Sequence, residues 1–286
     1  MSRSEFRFAD RLRVRWAEVD AQRIVFNGHY LTYLDTAMGA YWRALALPYE
    51  ESIASLHGDL FLRKAGLEYD APAHYDDVLD VALRFEGVGT SSMRFSAGVY
   101  RADERLVGGE LLYVWTDAAT RTPHRVPQSL VDTLRAYEAG EPMVRVEVGT
   151  WADLGARAQP VRTAVFVEEQ RIPAELEYDV ADAEAVHAVA ANRLGRVLAT
   201  GRLLAADEPR TGRIGRMAVH RALRGSGVGR QVLEALAGAA RARGDVQVML
   251  HAQQSAIGFY ERAGFRPRGE PFVEAGIRHL EMVRAT

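Results

Sequence analysis

The stretch Arg224-Gly-Ser-Gly-Val-Gly-Arg230 stands between an apolar strand, Ile214 to Val219, and an amphipathic helix. Gly225, Gly227 and Gly229 keep the turn free of bulky side chains. Downstream, Val228, Val232, Leu233, Leu236 and Ala240 recur at helical spacing along one face. A glycine-rich loop that opens a helix presents unpaired backbone N–H groups and the positive end of the helix dipole, which suits a phosphate group. Two common glycine fingerprints do not fit. No Gly-Lys-Ser/Thr follows the glycines, and the Rossmann spacing is absent. The pattern Arg/Gln-x-x-Gly-x-Gly is matched instead, by Arg224, Gly227 and Gly229, followed by a strand at Val246 to His251 and then Phe259-Tyr-Glu-Arg-Ala-Gly-Phe265.

That order resembles the GNAT superfamily of N-acyltransferases, from about Val144 to the C-terminus. Val165-Phe-Val-Glu-Glu-Gln170 and Glu274-Ala-Gly-Ile-Arg-His279 look like one bacterial subgroup of it. The resemblance implies coenzyme A, or acyl-CoA as substrate, and an amine acceptor. Main-chain groups of Met217, Ala218 and Val219 would bind the pantetheine arm. Arg224 and the loop Gly225, Ser226, Gly227, Val228, Gly229 and Arg230 would hold the pyrophosphate, chiefly through backbone amides. Tyr260 corresponds to the tyrosine that often protonates the departing CoA thiolate. A free tyrosine, with a pKa of about 10, can donate as charge builds on sulfur. Many relatives place a glutamate on the strand before the loop as general base, but Ile214 to Val219 has no carboxylate. Glu168, Glu169, Glu177, His251 or a water chain remain candidates for that role. His187 and His279 read as packed or surface residues.

At 286 residues the chain suggests two domains of about 140 each. A helical stretch, Gln128 to Tyr137, ends at Gly140 and Pro142, and a new alternating strand begins at Val144. Residues 1–140 and 143–286 are therefore expected to fold as separate domains joined by a short linker. The net charge of −2 points to neither nucleic acid nor an anionic membrane as partner. No apolar run approaches the roughly 20 residues of a membrane helix, and the N-terminus lacks a signal segment. The chain has no cysteine, which excludes disulfides, thiolate metal sites and a cysteine nucleophile. The eight histidines show no paired metal-ligand spacing, so no metal is expected. These features suit a cytoplasmic protein. Lys64 is the only lysine, which makes arginine the default cation here and reduces what any arginine cluster says about ligands.

In the N-terminal half, Leu31, Leu34, Met38, Tyr41, Trp42 and Leu45 step by three and four, an apolar helical stripe ending at Pro48. Strands follow. Leu79, Val81, Leu83 and Phe85 share one face, as do Met93, Phe95, Ala97 and Val99. Glu110 to Trp115 is apolar on both faces, as a central strand should be, and Leu12 to Trp16 also alternates. Glu18 follows that register loosely and is expected on the solvent side. One strand, a long buried helix and about four antiparallel strands make the hotdog arrangement.

The strand-to-helix junction carries a second resemblance. Val14-Arg-Trp-Ala-Glu-Val-Asp20, then Ile24-Val-Phe-Asn-Gly-His-Tyr30, resembles acyl-CoA thioesterases of the 4-hydroxybenzoyl-CoA thioesterase type over about residues 6–138. The catalytic carboxylate of that family matches Asp20, as nucleophile or as general base for water, and its oxyanion donor matches the amide of Asn27. Physically, a thioester carbonyl needs a nucleophile on one side and a donor to its developing oxyanion on the other. The first amides of a helix lack intrahelical partners and can donate. The alternative for Asp20 is a cap on the turn or helix. Many relatives carry Gly where this chain has Arg23, and His where it has Asn27. His29 is a candidate substitute for that histidine.

The expected protein is α+β: a hotdog domain followed by a GNAT α/β domain with a mixed sheet. It would hydrolyse an acyl-CoA in the first and acylate an amine in the second, as a homodimer or homotetramer built through the hotdog half. The alternative is a single transferase whose hotdog half is a non-catalytic dimerisation or acyl-CoA-binding module.

Overall fold

The computed structural model describes every residue except Ala275. That residue falls inside the Glu274–His279 stretch used for the GNAT resemblance, and it lies outside the described residues. The chain forms two compact units, Met1–Met143 and Val144–Thr286.

The first unit is a hotdog fold. Its elements run β1 (Phe8–Arg13), α1 (Asn27–Ala44), α2 (Tyr49–Ser55), β2 (Gly58–Tyr69), β3 (Val78–Val88), β4 (Ser92–Arg101), β5 (Glu104–Asp117) and α3 (Gln128–Glu138). The strands form one antiparallel sheet in the order β1-β3-β4-β5-β2. Helix α1 buries Tyr30, Tyr33, Leu34, Ala37, Met38, Tyr41 and Trp42. Its centre is Tyr41, whose ring meets Phe8, Phe95 and Tyr137 edge to face. Burying the Tyr41 hydroxyl demands a partner, and Glu138 Oε1 accepts from it at 2.6 Å. The same oxygen accepts from the Phe85 amide at 3.0 Å, past the end of β1, which begins at the Phe8↔Leu83 pair. One carboxylate thus ties α3, α1 and the sheet together.

Three expectations change here. The first strand ends at Arg13, and Trp16–Glu18 is a single 3₁₀ turn. Alternation therefore stops before Glu18, which is only 3% exposed, while Trp16 is 75% exposed. Leu31 sits at the outer flank of the helical stripe and is exposed. Strand β5 is interior but second from an edge, because the unanticipated β2 pairs outside it. Strand β2 is paired on one side only, and Phe61, Leu62 and Tyr69 on it are exposed.

The second unit has a seven-stranded mixed sheet. In chain order it contains β6 (Val144–Gly149), α4 (Trp151–Arg162), α5 (Ala174–Glu177), β7 (Val186–Asn192), β8 (Val197–Ala205), β9 (Thr211–Val219), α6 (Val228–Arg243), β10 (Gln247–Gln253), α7 (Ile257–Arg262), β11 (Arg266–Glu274) and β12 (Ile277–Ala285). The order is β11-β12-β10-β9-β8-β7-β6, antiparallel except for the β9–β10 pair. Val189 packs against Leu154 and Ala158 of α4. It pairs with Thr200, so the next residue, Gly201, faces the other side and meets Val232 and Leu236 of α6. The sheet is therefore covered on both faces. Thr163–Glu169 continues α4 as a wider, π-helical segment, which takes in Val165 to Glu169 of the Val165–Gln170 stretch and is capped by Gln170.

Close packing makes one glycine diagnostic. A Cβ on Gly58 would lie 2.1 Å from the indole of Trp115, which is fully buried and cannot swing away. Gly58→Ala is expected to destabilise the hotdog unit by about 1–3 kcal/mol, as overpacking does, in a denaturant titration followed by tryptophan fluorescence.

Candidate active sites

In the first unit, the chain between Glu18 and Asn27 doubles back on itself. Phe26 N–H donates to Glu18 O (3.0 Å), Val19 bridges Val25, and Asp20 N–H donates to Ile24 O (2.9 Å). At the tip, Arg23 N–H donates to Asp20 O and Gln22 N–H donates to Asp20 Oδ1 (2.7 Å). One oxygen of Asp20 therefore caps the turn, and Oδ2 has no protein hydrogen bond among the described residues. Arg23 occupies the left-handed region, φ 65°. A glycine there would be unstrained, whereas an L side chain costs roughly 1–2 kcal/mol.

Asn27 is the first residue of α1, so its amide has no acceptor inside the helix. Its carbonyl accepts from the Tyr69 hydroxyl at 3.2 Å. His29 is a half-buried neighbour of the exposed Phe26 ring. Beneath the loop lies Glu18, which sequence reasoning placed in solvent. Burial opposes its ionisation. Hydrogen bonds from the Arg15 side chain and amide (2.7 Å each) and from the Tyr33 hydroxyl (2.7 Å) outweigh that and hold its carboxyl below the usual range. Tyr33 is pushed up by its own burial and by that carboxylate. These contacts favour Glu18 as an anion, and the bond from Tyr33 ties the start of the loop to α1.

In the second unit, β9 and β10 pair only at Thr211, Gly212 and Arg213. Beyond Arg213 the two strands separate, and β9 runs on to Val219 with no partner strand on its β10 side. Between Gly215 and Ala218, β9 also carries one residue more than β8, a bulge at Arg216 and Met217 with Arg216 at φ 51°. Gly201 faces this bulge, where a Cβ would lie 2.5 Å from Met217 Sδ. A cleft of about 450 Å³ opens along the separation, bordered by Phe166, Glu177, Met217, His251, Tyr260 and Glu274.

The glycine loop lies at the end of β9. Gly225 and Gly227 have φ of 83° and 87°. Gln231 N–H makes the first intrahelical bond of α6, to Gly227 O, which leaves the amides of Val228, Gly229 and Arg230 unused by the helix. Gly229 is needed for contact, since a Cβ would lie 2.9 Å from Val219 Cγ2. The Ser226 hydroxyl donates to Leu223 O (2.6 Å). The Arg224 guanidinium is committed, forking onto Glu169 at 2.7 and 2.6 Å while its Nε donates to Val219 O at 3.2 Å. Arg224 thus acts on the loop's shape, and Arg230 stays exposed. Met217 and Val219 are half-buried and Ala218 is buried.

Tyr260 lies on α7, 8% exposed, with its ring against Phe259 and Phe265. Burial pushes its pKa up to about 12, so it remains a proton donor at neutral pH. Of the base candidates, Glu168 is exposed. Glu169 is held low by the Arg224 fork. Glu177 is raised by burial, against the pull of Arg162 and Arg216. His251 meets Glu274 at 3.1 Å.

What sequence reasoning missed is the buried ionic cluster behind the cleft. Arg162, 1% exposed, donates to Glu177 Oε1 (2.6 Å), Asp182 Oδ1 (2.9 Å) and Glu177 O (2.8 Å). Arg202 donates to Asp179 and Asp182, and Arg216 to Glu177 and Asp179. His187 meets Asp182 O at 2.9 Å, and burial lowers its pKa. Acidic residues spaced 177, 179 and 182 were the only visible signal. Among the described residues, no group of three or more His, Asp or Glu side chains is arranged to hold a metal ion, and no helix is long and apolar enough to cross a membrane.

Residues 22–108 match the model of the thioesterase superfamily, and residues 152–285 match that of the acetyltransferase (GNAT) domain. The chain belongs to both families, one in each unit. The GNAT unit is similar to the uncharacterized N-acetyltransferase YjcF of Bacillus subtilis, 37% identical over 125 residues, which covers 43% of this chain and 87% of that protein. The thioesterase unit is similar to an Aquifex aeolicus protein named “Putative esterase”, 34% identical over 96 residues, 34% of this chain and 74% of that one. It is also 25% identical over 121 residues to the acyl-CoA thioester hydrolase YbgC of Escherichia coli, 42% of this chain and 90% of that protein.

Two substitutions test these arrangements by denaturant titration. Removing one partner from a buried charge cluster leaves uncompensated ions, so Arg162→Ala is expected to destabilise the GNAT unit by about 3–5 kcal/mol. Arg23→Gly is expected to stabilise the thioesterase unit by about 0.5–1 kcal/mol, the relief of left-handed strain less the added freedom of the unfolded chain.

Proposed function

We propose that this protein is a bifunctional acyl-CoA enzyme: the thioesterase unit hydrolyses an acyl-CoA, and the GNAT unit transfers an acyl group from CoA to an amine. The observation that carries the transferase is the separation of β9 from β10 beside an uncapped, glycine-led helix N-terminus. The β9 backbone from Met217 to Val219, which has no partner strand on its β10 side, can pair with the amides of a pantetheine arm, as a strand would. Of the amides from Gly225 to Arg230, Ser226 N–H already donates to Leu223 O, and the others are suited to the pyrophosphate. Tyr260 then lies on the cleft wall, where it can hydrogen-bond the departing sulfur as charge grows there.

For the hydrolase, Asp20 Oδ2 is the attacking atom or the base for water, and the Asn27 amide is the oxyanion donor. The name of the YbgC relative, an acyl-CoA thioester hydrolase, supports the substrate class. The single-sided β2, with Phe61, Leu62 and Tyr69 exposed, supports pairing of two thioesterase units edge to edge, which would remove an open strand edge.

A second reading has its own observation. Asp20 Oδ1 is already used as a turn cap, and Arg23 strains the turn where glycine would not. On that reading the thioesterase unit binds acyl-CoA or dimerises without turnover. The two readings separate on CoA release from a panel of acyl-CoA esters, acetyl to long-chain and aromatic, without amine. Hydrolysis that falls about 10²–10⁴-fold in Asp20→Ala supports the hydrolase. Absence of turnover in the wild type on every ester supports the binding module.

A further inference from the structure

We infer that His251, held by Glu274, is the general base of the GNAT unit, taking the proton from the acceptor amine. The inference rests on the transferase reading above.

His251 sits on β10 two residues past Met249, where the pairing with β9 stops. His251 borders the same cleft as Tyr260, and it also borders a smaller hollow lined by Glu281 and Arg268. The ring is gripped from several sides. Nδ1 lies 3.1 Å from Glu274 Oε2 on β11 and 3.3 Å from Arg213 Nη2 on β9, Nε2 lies 3.9 Å from Glu281 Oε2 on β12, and Phe272 meets the ring edge to face. His279 of β12 stacks on the other partner of this group, Phe272.

These contacts choose the tautomer. A guanidinium only donates and a carboxylate only accepts, so Nδ1 can bond to only one of its two neighbours. With the proton on Nδ1, the ring donates to Glu274 at the shorter distance. With the proton on Nε2, the nearest carboxylate oxygen there is beyond hydrogen-bond reach at 3.9 Å. The first arrangement leaves the Nε2 lone pair free to accept, with a carboxylate behind the ring to stabilise the imidazolium that forms. Of the other carboxylate candidates, Glu168 is exposed and does not line the cleft, Glu169 is occupied by Arg224, and Glu177 by Arg162 and Arg216. Glu274 itself is disfavoured as an anion by burial, but the His251 contact more than offsets this and holds its carboxyl below the usual range.

The proton balance is as follows. An alkylammonium gives one proton to His251 Nε2 and becomes nucleophilic. Its nitrogen bonds to the thioester carbonyl carbon, and the carbon–sulfur bond breaks as the adduct collapses. The nitrogen loses its second proton, which replaces the one Tyr260 supplies to sulfur. Amide and CoA thiol leave, and His251 returns its proton to solvent.

Two nucleophiles isolate the base. n-Butylamine is of the lysine type, protonated at neutral pH with a pKa of about 10.4. Hydroxylamine is already unprotonated there and needs no base. The full chain is given acetyl-CoA with each, and N-butylacetamide and acetohydroxamate are quantified by mass spectrometry, so that thioester hydrolysis is not counted. His251→Gln is expected to slow amide formation by about 10²-fold or more, while hydroxamate formation and the acetyl-CoA Kd are little changed. Glu274→Gln is expected to slow only the butylamine reaction, by less, and it carries the test if His251→Gln fails to bind acetyl-CoA. Equal slowing of both nucleophiles, or of neither, overturns the base role and leaves the transferase standing. No product from either nucleophile in a wild-type chain that binds acetyl-CoA overturns the transferase reading, and this inference with it.

Discussion

The GNAT unit depends on a sheet that is kept from closing. Two adjacent parallel strands would ordinarily pair along their whole length, because an unmade backbone hydrogen bond out of water costs about 1–3 kcal/mol. Here β9 and β10 pair for three residues and then part. The open stretch of β9 is also where the chain adds a residue and forces Arg216 into the left-handed region. Local strain of that kind persists only where its surroundings over-determine it. The Arg216 side chain supplies the determination: it donates to the carbonyls of Leu176 and Glu177 and to the carboxylates of Glu177 and Asp179.

Those carboxylates belong to the buried cluster with Arg162 and Arg202. Buried ion pairs are weak evidence for net stability, since desolvation offsets much of the attraction. Their geometry, however, is exacting. Arg162 and Arg202 share Asp182 Oδ1, and Arg162 and Arg216 share Glu177. Asp182 Oδ2 remains without a partner, a residual cost inside the cluster. The cleft residues Leu176 and Glu177, with Asp179 beyond them, are thus fastened to the bulged strand through Arg216. His251 and Tyr260, which also border the cleft, are held by rings: Phe272 against His251, and Phe259 and Phe265 against Tyr260. The thioesterase unit uses the same device on a smaller scale, with Glu18 satisfied by Arg15 and Tyr33, and Glu138 shared by Tyr41 and Phe85.

Legibility in the sequence followed the range of the interactions involved. The glycine loop and the helix after it could be read because each is a short stretch whose conformation follows from its own residues. Positive φ demands glycine at 225 and 227, and helical spacing repeats from Val228 onward. Glu18 was misplaced because its surroundings are not consecutive: a strand read through to Trp16 ends at Arg13, and a tyrosine fifteen residues later takes the carboxylate. Leu31 completed the apolar stripe in the sequence, but it is not among the residues that α1 buries and stays exposed.

Local chain chemistry, then, was enough to mark the long helices, most of the strands and a change of character between the halves, and to single out the glycine loop as a candidate for a phosphate. These follow from periodicity, φ preference and the unpaired amides at a helix start, all of which act over a few residues. The folded chain alone decided that β9 leaves β10 after Arg213, that arginines 162, 202 and 216 converge on three acids, and that Glu274 stands behind His251 at the cleft that Tyr260 also borders. Each joins residues on different strands or helices, and the balance of burial against charge that fixes them exists only once those elements are packed.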